Sequence, residues 1–125
     1  MGAARPVGQN GWMTTSRVFE LRTYTANPGK LADLQSRFRD HTLRLFEKHG
    51  ITNVAYLTPT DGERADDTLV YLLGHPDRAT ADTSWAAFQA DPEWIEAKAQ
   101  SESNGRLVAN AESVFLSPTD YSPLA

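Results

Sequence analysis

The chain has 125 residues, 40% hydrophobic and 22% charged, which is enough to bury about two-thirds of its unfolded surface around one core and too ordinary for a disordered or fibrous class. Twelve basic against sixteen acidic residues leave a formal charge of −4, so no basic field exists to attract nucleic-acid phosphate. Without cysteine there is no disulfide framework, thiolate nucleophile or cysteine-held metal, and no apolar run approaches the ~18 residues of a membrane span, so a cytoplasmic location is expected.

Residues 1–16 are rich in Gly and small side chains and lack the apolar centre of a signal peptide, so they are expected to be a disordered extension or a cloning remnant. Residues 17–125 form a single expected domain. Its first strand, Arg17 to Thr25, alternates: Phe19, Leu21 and Thr23 on one side, Val18, Glu20, Arg22 and Tyr24 on the other. Asn27-Pro28-Gly29-Lys30 reads as a helix entry, with Asn27 as N-cap and Pro28 as first helical residue.

The helix is expected to run to about His49, with Leu31, Leu34, Phe38, Thr42, Leu45 and His49 on one face. Asp33–Arg37 and Asp40–Arg44 read as solvated i,i+4 pairs, and Gly50 ends the helix. Ile51 to Thr58 is a second strand, residues 58–63 a hairpin loop, and Thr68 to Gly74 a third strand. The Leu69-Val70-Tyr71-Leu72-Leu73 run is apolar on both faces.

Ala79 to Ala90 reads as a helix that Asp91-Pro92 restarts, and Glu112 to Leu116 is a fourth strand stopped by Ser117-Pro118. The order β-α-β-β-α-β defines an α+β, ferredoxin-like protomer with a four-stranded antiparallel sheet. Helices on one side leave the other side of the sheet bare. A patch of Val18, Tyr24, Tyr56 and Phe115 with the third strand is expected there, and it points to a homodimer.

Candidate chemistry concentrates on the polar side of the first strand. Arg22 can hold an anionic or enolate-like ligand through its planar fork, Glu20 can orient Arg22 or accept a proton, and Tyr24 can donate a hydrogen bond. The same three residues can equally serve as an interfacial pair that fixes the dimer. His75 falls on the face of Tyr71 and is either an acid or base at a pocket mouth or a loop residue before Pro76. Tyr56 and Tyr71, on adjacent strands, can bring hydroxyls to one cavity or simply pack.

His49 reads as a helix-terminal cap, and Trp85, Phe88 and Trp94 as core or dimer-rim aromatics. His41 and His49 lie eight apart rather than four, and His75 is the third and last imidazole. No metal site and no cofactor are expected from them.

Phe19-Glu20-Leu21-Arg22-Thr23-Tyr24-Thr25, the Pro28-Gly29-Lys30 turn, Lys48-His49-Gly50, Phe88-x-x-Asp91-Pro92-Glu93-Trp94 and Leu116-Ser117-Pro118-Thr119 occur in this order. Over residues 17–123 the chain resembles the NIPSNAP family of the dimeric α+β barrel superfamily. That resemblance implies a ferredoxin-like protomer whose sheet packs on its partner's to form a barrel. Animal members are associated with mitochondria and vesicle or mitophagy biology; the wider superfamily includes cofactor-free monooxygenases, haem-degrading enzymes, polyketide cyclases and stress-response proteins.

No mitochondrial transit pattern is visible, so the animal location is not carried over. The expected function is binding of a small hydrophobic or aromatic molecule in the barrel, with Arg22, Tyr24, Tyr56 and Tyr71 as its contacts. The alternative is a cofactor-independent monooxygenase, isomerase or cyclase acting on an aromatic or polyketide-like substrate, with Glu20, Arg22 and His75 as catalytic candidates. Fold-level likeness does not choose between them.

Overall fold

The computed structural model describes residues 16–124, so the expected N-terminal extension lies outside the described residues apart from Ser16. Four strands form one antiparallel sheet: β1 (Val18–Ala26), β2 (Thr52–Leu57), β3 (Thr68–His75) and β4 (Val108–Leu116), in the order β2-β3-β1-β4. β1 and β3 are central, as the apolar run of β3 requires. The helical segments are α1 (Leu31–Arg37), a π-helical turn (Phe38–Thr42), α2 (Leu43–Lys48), α3 (Arg78–Ala90) and α4 (Pro92–Ser101). The sheet and helices thus reproduce the ferredoxin-like arrangement expected from the alternating patterns.

Several local expectations need correction. Asn27 does not cap the first helix. Lys30 N–H donates to the Asn27 carbonyl at 2.9 Å and Gly29 has φ of 74°, a type II pattern with Pro at its second and Gly at its third position. The Asn27 side chain donates instead to the Arg106 carbonyl at 2.8 Å, and the helix begins at Leu31.

The pairs Asp33–Arg37 and Asp40–Arg44 do not form. The π-helical turn lies between Asp40 and Arg44 and changes the angular spacing that their i,i+4 pairing needs, while Asp33 and Arg37 both precede it and part because the Arg37 side chain is drawn inward. Arg37 turns inward to Ser101 and Glu102, and Arg44 reaches Glu93. Thr42 Oγ1 donates to the Arg37 carbonyl across this turn at 3.2 Å. The C-terminal end is as expected: Ile51 N–H donates to the Phe46 carbonyl and Gly50 N–H to that of Glu47, with Gly50 at φ 82°. Those are the two bonds of a Schellman cap.

The stretch between β2 and β3 holds a 3₁₀ turn (Glu63–Asp66), and β4 starts at Val108, four residues before its expected start at Glu112. Asp91 is the N-cap of α4, accepting from Glu93 N–H at 2.8 Å, and Asp77 does the same for α3 from Thr80 N–H at 2.7 Å.

The largest correction concerns the sheet faces. Cross-strand partners share a face, and Glu20 opposes Leu73 and Phe115, Arg22 opposes Tyr71 and Ser113, and Tyr56 opposes Tyr71. Tyr71, Leu73, Leu34, Leu45 and Phe46 are the buried centre of the core between sheet and helices. Val18, Tyr24, Tyr56 and Phe115 therefore face the chain's own helices and not the open side. A bulge between Asn53 and Ala55 lets Asn53 and Tyr56 share that inner face. The open face instead carries Leu21, Thr23, Val70, Leu72, Leu57, Val114 and Leu116, the last three exposed.

Candidate functional site

Alternation on β1 sends Glu20 and Arg22 into the layer between sheet and helices, where a charge must be matched or neutralised. Glu20 is 1% exposed. Its Oε2 accepts from Arg22 Nη1 at 2.7 Å and Ser113 Oγ at 2.6 Å; its Oε1 accepts from Trp85 Nε1 at 2.8 Å and lies 2.9 Å from His75 Nε2. An ionised carboxylate only accepts, so in that last contact His75 Nε2 is the donor. Burial alone would raise the carboxyl, but hydrogen bonds from His75, Ser113, Trp85 and Arg22 outweigh it and hold its pKa at about 2 against an ordinary 4.5.

Arg22 spends each nitrogen on a different partner. Nε donates to Tyr71 Oη at 2.8 Å, Nη2 to Tyr24 Oη at 3.0 Å and Nη1 to Glu20, while Cζ stacks 4.4 Å from the Trp85 ring centre. Burial lowers its proton affinity, yet the neighbouring Tyr71 and Tyr24 oxygens and Glu20 raise it further, so the guanidinium stays charged. Burial pushes the Tyr71 and Tyr56 hydroxyls up, which keeps both as neutral phenols.

Arg22 and Tyr24 form part of the wall of a cavity of about 240 Å³ between sheet and helices, together with Phe46, Trp85, Phe88 and Trp94. Arg37, Lys98 and Arg106 line it too, against one carboxylate, Glu102. Arg22 is matched by Glu20 and Arg37 by Glu102, so Lys98 and Arg106 leave the wall with a positive surplus in a chain of net charge −4.

Of the residues expected at the site, Arg22 and Tyr24 reach the cavity. Tyr71 is fully buried and bonds Arg22, and Glu20 and His75, 1% exposed each, are likewise enclosed and not part of the cavity wall. Such positions suit Glu20 and His75 to holding Arg22 rather than to exchanging protons with a ligand. Tyr56 stacks on Tyr71 with ring centres 5.1 Å apart, but its hydroxyl donates to Asn53 Oδ1 at 2.6 Å and its ring lines a separate pocket of about 190 Å³ beside Phe38 and Leu69.

His49 stands 2.7 Å from Asp91 Oδ2, beside Lys48 at 2.8 Å, and ties the end of α2 to the cap of α4. His41 lines a groove on the outer side of α1 and α4. Among the described residues no cluster of three or more His, Asp or Glu is arranged to hold a metal ion.

The parts that Trp85 and Ser113 play around Glu20 are not among the sequence-based expectations. A buried indole needs an acceptor for its N–H, and Glu20 is the one acid on an inward strand face, so that pairing has a signal in the sequence. Ser113 requires the β1–β4 register, which no local pattern reveals.

Replacing Glu20 by Gln should lower stability at neutral pH by roughly 3 kcal/mol, the scale for breaking a buried ion pair. The Glu20 pKa is depressed in the folded state, so its contribution is complete above about 4.5 and is lost as pH falls towards about 2. Urea titrations of the two proteins between those limits should show a pH slope in the wild type that the Glu20→Gln variant lacks; equal slopes would show that Glu20 is not ionised in this network.

Similarities to known proteins agree with this architecture. An uncharacterised NIPSNAP domain protein from Burkholderia xenovorans superposes with a TM-score of 0.71 at 22% identity, covering 85% of this chain and 98% of that one. A NIPSNAP family protein of unknown function from Agrobacterium tumefaciens gives 0.75 at 21% identity over 89% and 96%. SnoaB, a cofactor-independent oxygenase from Streptomyces nogalater, gives 0.56 at 17% identity over 86% and 98%. At these identities the likeness is one of fold. No curated protein matches the sequence. The NIPSNAP family model matches residues 19–123, nearly the whole described chain, and the protein belongs to the NIPSNAP family.

Proposed function

We propose that the protein binds a small, planar aromatic anion in the cavity between its sheet and helices. The observation that carries this reading is Arg22: a permanently charged guanidinium, fixed by Glu20, Tyr71 and Tyr24 and stacked on Trp85, at the wall of an aromatic cavity. Aromatic walls supply stacking area and the guanidinium supplies orientation. A volume of about 240 Å³ lies just under the usual ~300 Å³ lower bound for ligand sites, which favours one or two fused rings.

The carboxylate probe 2-naphthoate should quench the fluorescence of Trp85 and Trp94 on binding. Arg22→Gln should weaken it by roughly tenfold or more, the worth of a charged hydrogen bond, and unchanged affinity in that variant would sink the role of Arg22.

The open sheet face supports a homodimer. Exposed Leu57, Val114 and Leu116 continue Leu21, Val70 and Leu72 across all four strands, an apolar strip of the kind that marks an interface. Light scattering at micromolar concentration should give twice the chain mass of 13.8 kDa. Val114→Glu should shift it to the single mass; a wild-type monomer would remove the dimer.

A cofactor-independent oxygenation is the second reading. It is favoured by the capacity of a fixed Arg22 to stabilise an enolate or naphtholate, whose own electrons then reduce dioxygen, and by the fold shared with SnoaB. An oxygen electrode should record uptake with 1,5-dihydroxynaphthalene that Arg22→Gln abolishes; a flat trace with this probe demonstrably bound would leave the binding role alone.

A further inference from the structure

The cavity has a second guanidinium. Arg37 comes from the last residue of α1, its side chain only 5% exposed. Nη1 donates to Ser101 Oγ at 3.2 Å and Glu102 Oε2 at 3.4 Å, the latter long for an ion pair and shared with Leu107 N–H at 3.4 Å. Its Nε is enclosed and has no hydrogen-bond partner among the described residues. Buried donors are almost always matched, and an unmatched one on a cation is expensive. Arg22, by contrast, has short bonds at all three of its nitrogens.

The two arginines occupy equivalent positions on an aromatic floor. Arg22 Cζ lies 4.4 Å from the Trp85 ring and Arg37 Cζ 5.1 Å from the Trp94 ring. Phe88 lies between the indoles, 5.7 Å from Trp85 and 4.6 Å from Trp94. Lys98 and Arg106, both without an ion-pair partner among the described residues, line the cavity as well. The slot therefore has aromatic sides, and Arg37, Lys98 and Arg106 line it in addition to Arg22; the Arg37 Nε itself is enclosed and does not open onto it.

We propose that Lys98 and Arg106, with the Arg37 guanidinium on the same wall, are a second anion-recognition point, and that the ligand class is an aromatic dicarboxylate held at both acidic groups. One acidic group meets Arg22 and a second carboxylate meets Lys98 and Arg106. This rests on the cavity reading above and specifies its ligand as doubly charged.

The test compares benzoate and 2-naphthoate with 1,4-benzenedicarboxylate and 2,6-naphthalenedicarboxylate by calorimetry on the full chain. At least one dicarboxylate should bind roughly tenfold or more tightly than its monoacid, the worth of an added charged hydrogen bond. Arg37→Gln should reduce that advantage, read as the ratio of dicarboxylate to monoacid affinity within the same variant. Lys98→Ala with Arg106→Ala, both at exposed positions, should cut the advantage severalfold, and this double variant decides between the outcomes if the Arg37 variant does not fold. Equal affinity for mono- and dicarboxylates, or an advantage that survives these substitutions, overturns the second anion point and leaves the cavity reading standing. Failure of all four probes overturns both.

Discussion

The buried carboxylate of Glu20 is the interaction on which the arrangement depends. It receives hydrogen bonds from its own strand, from β3, from β4 and from α3, so one side chain stitches three neighbouring strands to the helix that covers them. An ionised glutamate in such a place is tolerable because each of its oxygens has two donors, one of them permanently cationic. The consequence passes outwards in order. Glu20 fixes Arg22, Trp85 supports the Arg22 plane, and the cavity wall takes its shape from both.

This order also explains how positive and negative charges are distributed. The carboxylate is placed deep and the guanidinium faces the space, so the pair is neutral as a unit but polarised towards the cavity. Arg37 and Glu102, which also line the cavity, repeat the idea less tightly. The open side of the sheet follows a different logic, with aliphatic side chains and no buried charge. The two faces thus differ in chemistry as well as in covering, one suited to a small polar-ended molecule and the other to an extended apolar surface.

Much of this is legible in the sequence and the remainder is not, for identifiable reasons. Period-two alternation marks Glu20, Arg22 and Tyr24 as sharing a face, and the two-sided apolar run marks β3 as central. Which way that face points is not legible, because an alternating strand looks the same from either side until its partners are known. The pattern therefore assigns the polar residues to a face that a partner or a cavity would cover, and the chain's own helices cover it, leaving between them a cavity that Arg22 and Tyr24 reach. Cap chemistry succeeds at Asp91-Pro92 and fails at Asn27-Pro28, where the following Gly29 at positive φ makes a tight turn a better use of the same residues. Helical spacing alone pairs Arg37 with Asp33 on the helix exterior. The packing of α1 against α4, which has no local sequence signature, instead draws that side chain towards Ser101 and Glu102.

The π-helical turn makes the cavity sensitive to chain length in a way that side-chain chemistry alone does not. A π-helical turn is an α-helix carrying one extra residue, and one residue corresponds to about 100° of helical rotation. Loss of a single residue within Phe38–Thr42 would leave a continuous helix and swing α1 by that angle relative to α2, carrying Arg37 off the wall without replacing it. Relatives of this chain can therefore differ in what their cavities accept through one-residue insertions and deletions, and an alignment that smooths over such gaps would conceal the change.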